Sequence, residues 1–168
     1  MATSRLRFAL GAWLLALLAA PWGGAAAGSG ADYRSVKTVD GMSVYFSVTS
    51  AESIRQHFRK HSAERKMHGG PPDVPHVHHI MVTVVDRSSD RRVADAHVTA
   101  RLIVPARDLS SRRRPLEPMK IGDAVSYGSY VAMGVFGTYR VNVTVEIPGK
   151  PALHTSFLYD HEPAGHGR

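Results

Sequence analysis

Most of the chain after residue 35 follows a period of two. Tyr139, Val141, Val143, Val145 and Ile147 alternate with Arg140, Asn142, Thr144 and Glu146, so an extended segment there has one apolar and one polar face. Val44, Phe46 and Val48 alternate with Ser43, Tyr45 and Ser47 in the same way. Val77 to Asp86 is nearly continuously apolar through Ile80, Met81, Val82, Val84 and Val85, which reads as a strongly buried strand. From Val93 to Pro105, Ala94, Ala96, Val98, Ala100 and Leu102 oppose Asp95, His97, Thr99 and Arg101. That pattern predicts a strand with His97 facing solvent. Leu116 to Ala132 predicts two short strands about a Gly-Asp turn, and Ala152 to Tyr159 a last strand after Pro148-Gly149. Arg87 to Arg92 reads as a polar turn and Ala106 to Pro115 as a basic loop.

Turn and cap residues divide these segments. Asp40-Gly41 is a pair favoured in two-residue hairpin loops, where both central residues need positive φ. Ser50 is a good N-cap for a helix from about Ala51 to Lys66, with Ile54 and Phe58 four apart on the face toward the sheet. Gly69-Gly70-Pro71-Pro72 ends any helix. Gly137-Thr138-Tyr139 has the form of the turn before a late strand of an immunoglobulin-like sandwich, where a Tyr closes the corner. Seven or eight short strands punctuated by turns imply an all-β fold: an immunoglobulin-like antiparallel β-sandwich with one short helix.

The first residues stand outside this pattern. Arg5 and Arg7 precede an apolar run, Phe8 to Ala20, and Ala25-Ala26-Ala27 supplies small residues. This is the layout of a signal peptide, with a run too short for a membrane span and cleavage expected after Ala27. The alternative is an uncleaved anchor. The chain therefore divides into a signal peptide (1–27), an N-terminal hairpin (28–50), a helix and His/Gly/Pro loop (51–75), a sandwich core (76–160) and a polar, mobile tail (161–168). The mature length fits one domain.

Composition narrows the chemistry. There is no cysteine, so neither a disulfide framework nor a thiolate metal site is available. The formal charge is +7, and Arg5 and Arg7 leave with the signal. The rest is partly local, in Arg112-Arg113-Arg114 and between Arg55 and Lys66. In an exported protein this charge does not imply nucleic acid; a solvated face, or an anionic membrane surface, suits it. No Ser-His-Asp set, phosphate loop or carboxylate pair stands out, and the chain is read as a non-enzyme.

The segment Met67 to Met81, MHGGPPDVPHVHHIM, holds His68, His76, His78 and His79 beside two methionines. Imidazole and thioether together suit copper, and imidazole also suits zinc and iron. His57 and His61 share a helical face but lack a third ligand. Met119 and Met133 are candidate thioethers, each equally able to fill a core. Met81 and His154 complete the candidate set.

From Met119 to Tyr139 the chain resembles the periplasmic metal-binding proteins that accompany bacterial high-affinity iron uptake. Pro118-Met119, Tyr127-Gly128, Met133 and Gly137-Thr138-Tyr139 fall at that family's spacing. YtkA-like and FixH-like exported sandwiches are less exact matches. The resemblance implies an immunoglobulin-like copper protein, typically a homodimer, with a membrane permease or respiratory complex as further partner. It also implies a site built from the Met of Pro-Met, a His before Tyr-Gly and a His-x-Glu on an early strand. Met119 carries over directly, and His76-Val77-His78 is placed at His-x-Glu. Ser126 stands where the His before Tyr-Gly belongs, and a further His, from a loop here reduced to Pro148–Pro151, has only His154 as a displaced substitute. The implied metal set is His76, His78 and Met119 with His79 or His68, backed by Met133, His154 and Met81. The ion is copper, with iron or zinc as alternatives. The competing reading is a structural or accessory sandwich that docks on a membrane complex and binds no metal.

Overall fold

The computed structural model describes residues 33–58, 69–104, 109–110, 113–121 and 124–163. The signal segment, His61, His68 and the continuation of the helix beyond residue 58 lie outside these residues. Ten strands and one helix follow in order: β1 Tyr33–Val39, β2 Met42–Ser50, α1 Ala51–Phe58, β3 Val77–Asp86, β4 Arg91–Arg92, β5 His97–Val104, β6 Leu109–Ser110, β7 Arg114–Ile121, β8 Ala124–Ala132, β9 Gly137–Glu146 and β10 Leu153–His161. Hydrogen-bonded neighbours run β1-β2-β3-β8-β7-β5-β9-β10, with β4 on β3 and β6 on β5. Every pairing is antiparallel.

Strand β7 joins the two layers. Its first residues, Arg114 to Leu116, pair with β5, and Glu117 to Ile121 pair with β8. A strand that switches sheets makes a corner of the sandwich. Here it also decides which layer Met119 belongs to.

The core lies between the layers. Val44, Phe46, Val48, Ile80, Val82, Val84 and Tyr127 face it from the first, and Val98, Ala100, Val141, Val143, Val145 and Phe157 from the second. Phe46 stacks on Phe157 across the interface, with ring centroids 4.8 Å apart. Burying a side chain of this kind contributes about 1.5–3 kcal/mol, so these residues are what holds a cysteine-free domain together.

Local chemistry accounts for the connections. Asp40 and Gly41 have φ of 45° and 76°, as a two-residue hairpin turn requires. Ser50 Oγ accepts from the Ser53 amide at 3.0 Å and so caps α1. The Tyr139 hydroxyl donates to the Val135 carbonyl at 2.9 Å and accepts from the Val135 amide at 3.2 Å, closing the corner before β9.

The strand expected from Val93 begins only at His97. The Val93 amide bonds back to the Val84 carbonyl. The Tyr127 hydroxyl then donates to the Val93 carbonyl and accepts from the Ala96 amide, both at 3.0 Å. With these groups engaged, residues 93–96 cross between layers instead of extending β5. Arg91 and Arg92 form β4 where a turn is expected, and Leu109–Ser110 and Arg114 onward are strand within the expected basic loop. His161, expected to begin a mobile tail, is the last residue of β10, pairs with Gly137 and is buried.

Candidate metal centre

Adjacent residues of a strand point to opposite faces, and this separates the two neighbouring histidines of β3. His78 continues the inward column of Ile80, Val82 and Val84 and is buried. His79 shares the outward face with Met81 and Thr83.

The outward face is organised around Gly128. Met81 lies opposite Gly128 on β3, and Glu117 lies opposite it on β7. A Cβ placed at Gly128 would stand 2.7 Å from His79 Nε2 and 2.8 Å from both His79 Cε1 and Met119 Cε. An imidazole and a thioether thus lean over the same side-chain-free spot from opposite sides. Met119 is 8% exposed, yet it stands outside the apolar core cluster. It is buried against the outer surface of the sheet. His79 also packs on Tyr130, ring centroids 4.9 Å apart. Burial pushes the Tyr130 phenol pKa up, partly offset by the Arg55 charge.

The next step along this face is polar and small. Ser126 Oγ and Thr83 Oγ1 hydrogen-bond at 2.7 Å, and Ser126 pairs with Met119. Ser126 is where the resemblance places an imidazole. The β3 residues beside it are therefore Met81 and Thr83, not His76 and His78. The expected meeting of Met119 with the His76–His78 end does not form; Met119 and His79 instead both approach Gly128.

His76 and His78 belong to one end of the sandwich. His78 and His161 rings lie 4.7 Å apart, and His76 and His161 rings 5.6 Å apart. Phe136, Tyr139 and Tyr159 surround His161. His76 is not extended: its φ is 56°, and its carbonyl accepts from the Met133 amide at 2.8 Å. Upstream, Arg55 donates to the Pro72 carbonyl and pairs with Asp73 at 3.3 Å, tying α1 to the loop that delivers His76. His78 Nδ1 and His161 Nε2 are buried without hydrogen-bond partners. Burial lowers the pKa of both rings. It carries His161 down to about 4, assisted by the His78 and His76 charges and opposed by a backbone hydrogen bond at Met133.

The remaining candidates stand apart from both groups. Met133 is wholly buried in the core, and its backbone amide bonds the His76 carbonyl. His154 is exposed on the outer face of β10, with Nδ1 3.3 Å from Thr144 Oγ1. His68 lies outside the described residues. The sequence pattern ends the last strand at Tyr159 and so leaves His161, the last residue of β10, outside the candidate set. The period of two through Phe157 and Tyr159 already pointed to it. Gly128 carried a signal too, since a glycine inside a strand often marks a close approach.

An immunoglobulin-like sandwich with thioether and imidazole on an outward sheet face is the class of protein that fold and donor set define. The structure is similar to FetP from uropathogenic E. coli strain F11 (TM-score 0.59, 13% identity, 78% of this chain and 96% of that one). It is equally similar to the copper-reconstituted P19 protein from Campylobacter jejuni (TM-score 0.58, 14% identity, 79% and 97%). A DUF4426 family protein from Pseudomonas aeruginosa PAO1 also matches (TM-score 0.52, 16% identity, 77% and 97%). At these identities the likeness establishes a shared fold. FetP and P19 share the sandwich fold that the resemblance carried by Met119 to Tyr139 implies. No family model and no curated protein matches the chain by sequence.

Proposed function

We propose that the chain is an exported copper-binding protein that handles the ion without turnover, in copper homeostasis or as an accessory to iron uptake. The site is the cradle over Gly128, with His79 and Met119 as its first ligands and Met81 and Glu117 at its sides. The observation that carries this reading is the convergence of His79 and Met119 on one point with no side chain beneath them. Two thioethers and an imidazole are soft to borderline donors and favour Cu(I) over hard cations. Solved relatives of the same fold support the reading, since P19 takes up copper. Among the described residues no helix is long and apolar enough to cross a membrane.

Competition for Cu(I) against a chromophoric chelator, with untagged protein, tests the proposal. Met119→Ala should weaken Cu(I) binding at least about tenfold, or about 1.4 kcal/mol, and Cu(II) binding less. His57→Ala with His61→Ala should change little. Equal Cu(I) affinity in wild type and Met119→Ala would favour the structural, metal-free accessory sandwich or a site on the helix side.

A further inference from the structure

Three histidines away from Gly128 form a group of their own. His78 ends the inward column of β3, His161 ends the inward column of β10, and His76 projects from the loop before β3 onto the His161 ring. Two backbone segments, residues 76–78 and the end of β10, therefore bring three imidazoles to one end of the sandwich. Two of these rings are at least nine-tenths buried, with exposures of 5% and 6%, and each has a nitrogen with no partner. A buried polar atom left unpaired is destabilising, and a native fold rarely retains two so close together without a use for them.

We infer that His76, His78 and His161 form a second metal site, for a divalent borderline ion of the Zn2+ or Cu2+ type, distinct from the soft cradle over Gly128. Two imidazoles on a tetrahedral ion, with metal–nitrogen bonds of about 2.0–2.1 Å, place their ring centroids roughly 5 Å apart. The observed separations are 4.7 Å and 5.6 Å. Among the described residues no three His, Asp or Glu side chains already converge on a common point. His76 is exposed at the rim, so the proposed site requires its ring to turn toward the two buried nitrogens. The backbone at His76 supports a positional role. A non-glycine residue at positive φ is uncommon and carries strain unless its surroundings hold it, and here the Met133 amide holds the His76 carbonyl. Three neutral imidazoles suit Zn2+ and Cu2+ and leave a fourth position open. The site does not depend on the copper reading, because it shares no ligand with the cradle.

The test uses untagged full-length mature protein and Zn2+ with a chromophoric competitor, read together with the Zn2+-induced rise in thermal midpoint. His161→Phe should abolish both signals. His76→Asn should weaken Zn2+ binding at least about tenfold, the lower end of what loss of a mere supporting residue costs at metal sites. This second variant changes an exposed position, and Asn tolerates positive φ, so it stays informative if His161→Phe folds poorly. Cu2+ should displace Zn2+ in the same variant order. Met119→Ala should leave Zn2+ binding unchanged while losing Cu(I), so failure of either site is seen separately. Equal Zn2+ affinity in wild type and His76→Asn, or no Zn2+ uptake at all, would overturn the inference and leave the three rings as an aromatic cap on the core.

Discussion

Replacing Gly128 by Ala puts a methyl group into the cradle, and the structure separates its effect on stability from its effect on binding. The backbone at Gly128 is not left-handed, so an L-residue is allowed there. The new Cβ would sit 2.7 Å from His79 Nε2 and 2.8 Å from Met119 Cε. Ordinary carbon contacts need about 3.5–4.0 Å, so each side chain must retreat by roughly 1 Å. Both atoms are at the ends of side chains, which can move by rotation at a cost on the order of 0.5–1.5 kcal/mol each. Alanine in a strand recovers about 0.5–1 kcal/mol over glycine. The net change in folding stability should therefore fall within about 2 kcal/mol. Binding should suffer more, because the methyl occupies the space under the two donors and drives them apart. Cu(I) affinity should fall by tenfold or more, about 1.4 kcal/mol per decade. Urea denaturation and Cu(I) competition on the same preparation read the two quantities. Unchanged Cu(I) affinity in a folded Gly128→Ala protein would refute the placement of copper over this residue. A stability loss beyond about 4 kcal/mol would show that His79 and Met119 are packed rigidly instead of leaning over open space.

Val143 is 1% exposed at the centre of β9, and Val143→Ala should destabilise by about 1–3 kcal/mol in chemical denaturation, through lost burial and an unfilled cavity. His161 has its pKa lowered from 6.5 to about 4 in the folded chain. Between these values the unfolded state takes up a proton that the folded state refuses, so metal-free protein should lose stability as pH falls from about 6.5 to 4, on the order of 1–3 kcal/mol in total. His161→Phe should flatten that part of the pH–stability curve, and an unchanged slope would place the titration elsewhere. Intact-mass measurement of exported protein should show a chain beginning near Gly28; a mass that retains Met1 to Ala27 would mean the apolar segment stays as an anchor.

Much of this molecule is local and therefore legible along the chain. β3 spans Val77 to Asp86, the bounds its sequence predicts, because the run is apolar and turn residues flank it. The inward faces of β2 and β9 follow from strict alternation, the hairpin from Asp40-Gly41, the cap from Ser50, and the Tyr139 corner from its position after Gly137. These features depend on neighbours within a few residues, so one-dimensional order carries them. Alternation also places His78 and His79 on opposite faces, but it does not say what either face meets. That depends on register between distant strands: β8 sets Gly128 beside Met81, and β7 switches layers so that Met119 falls over the outer sheet. The pairing of His78 with His161 likewise joins residues 83 positions apart, and the closing of the sandwich alone brings them together. The sequence by itself determined the strands, the turns and the supply of imidazole and thioether. Only the tertiary structure decided which donors share a site, because coordination is a matter of distances in space, and strand register sets those distances.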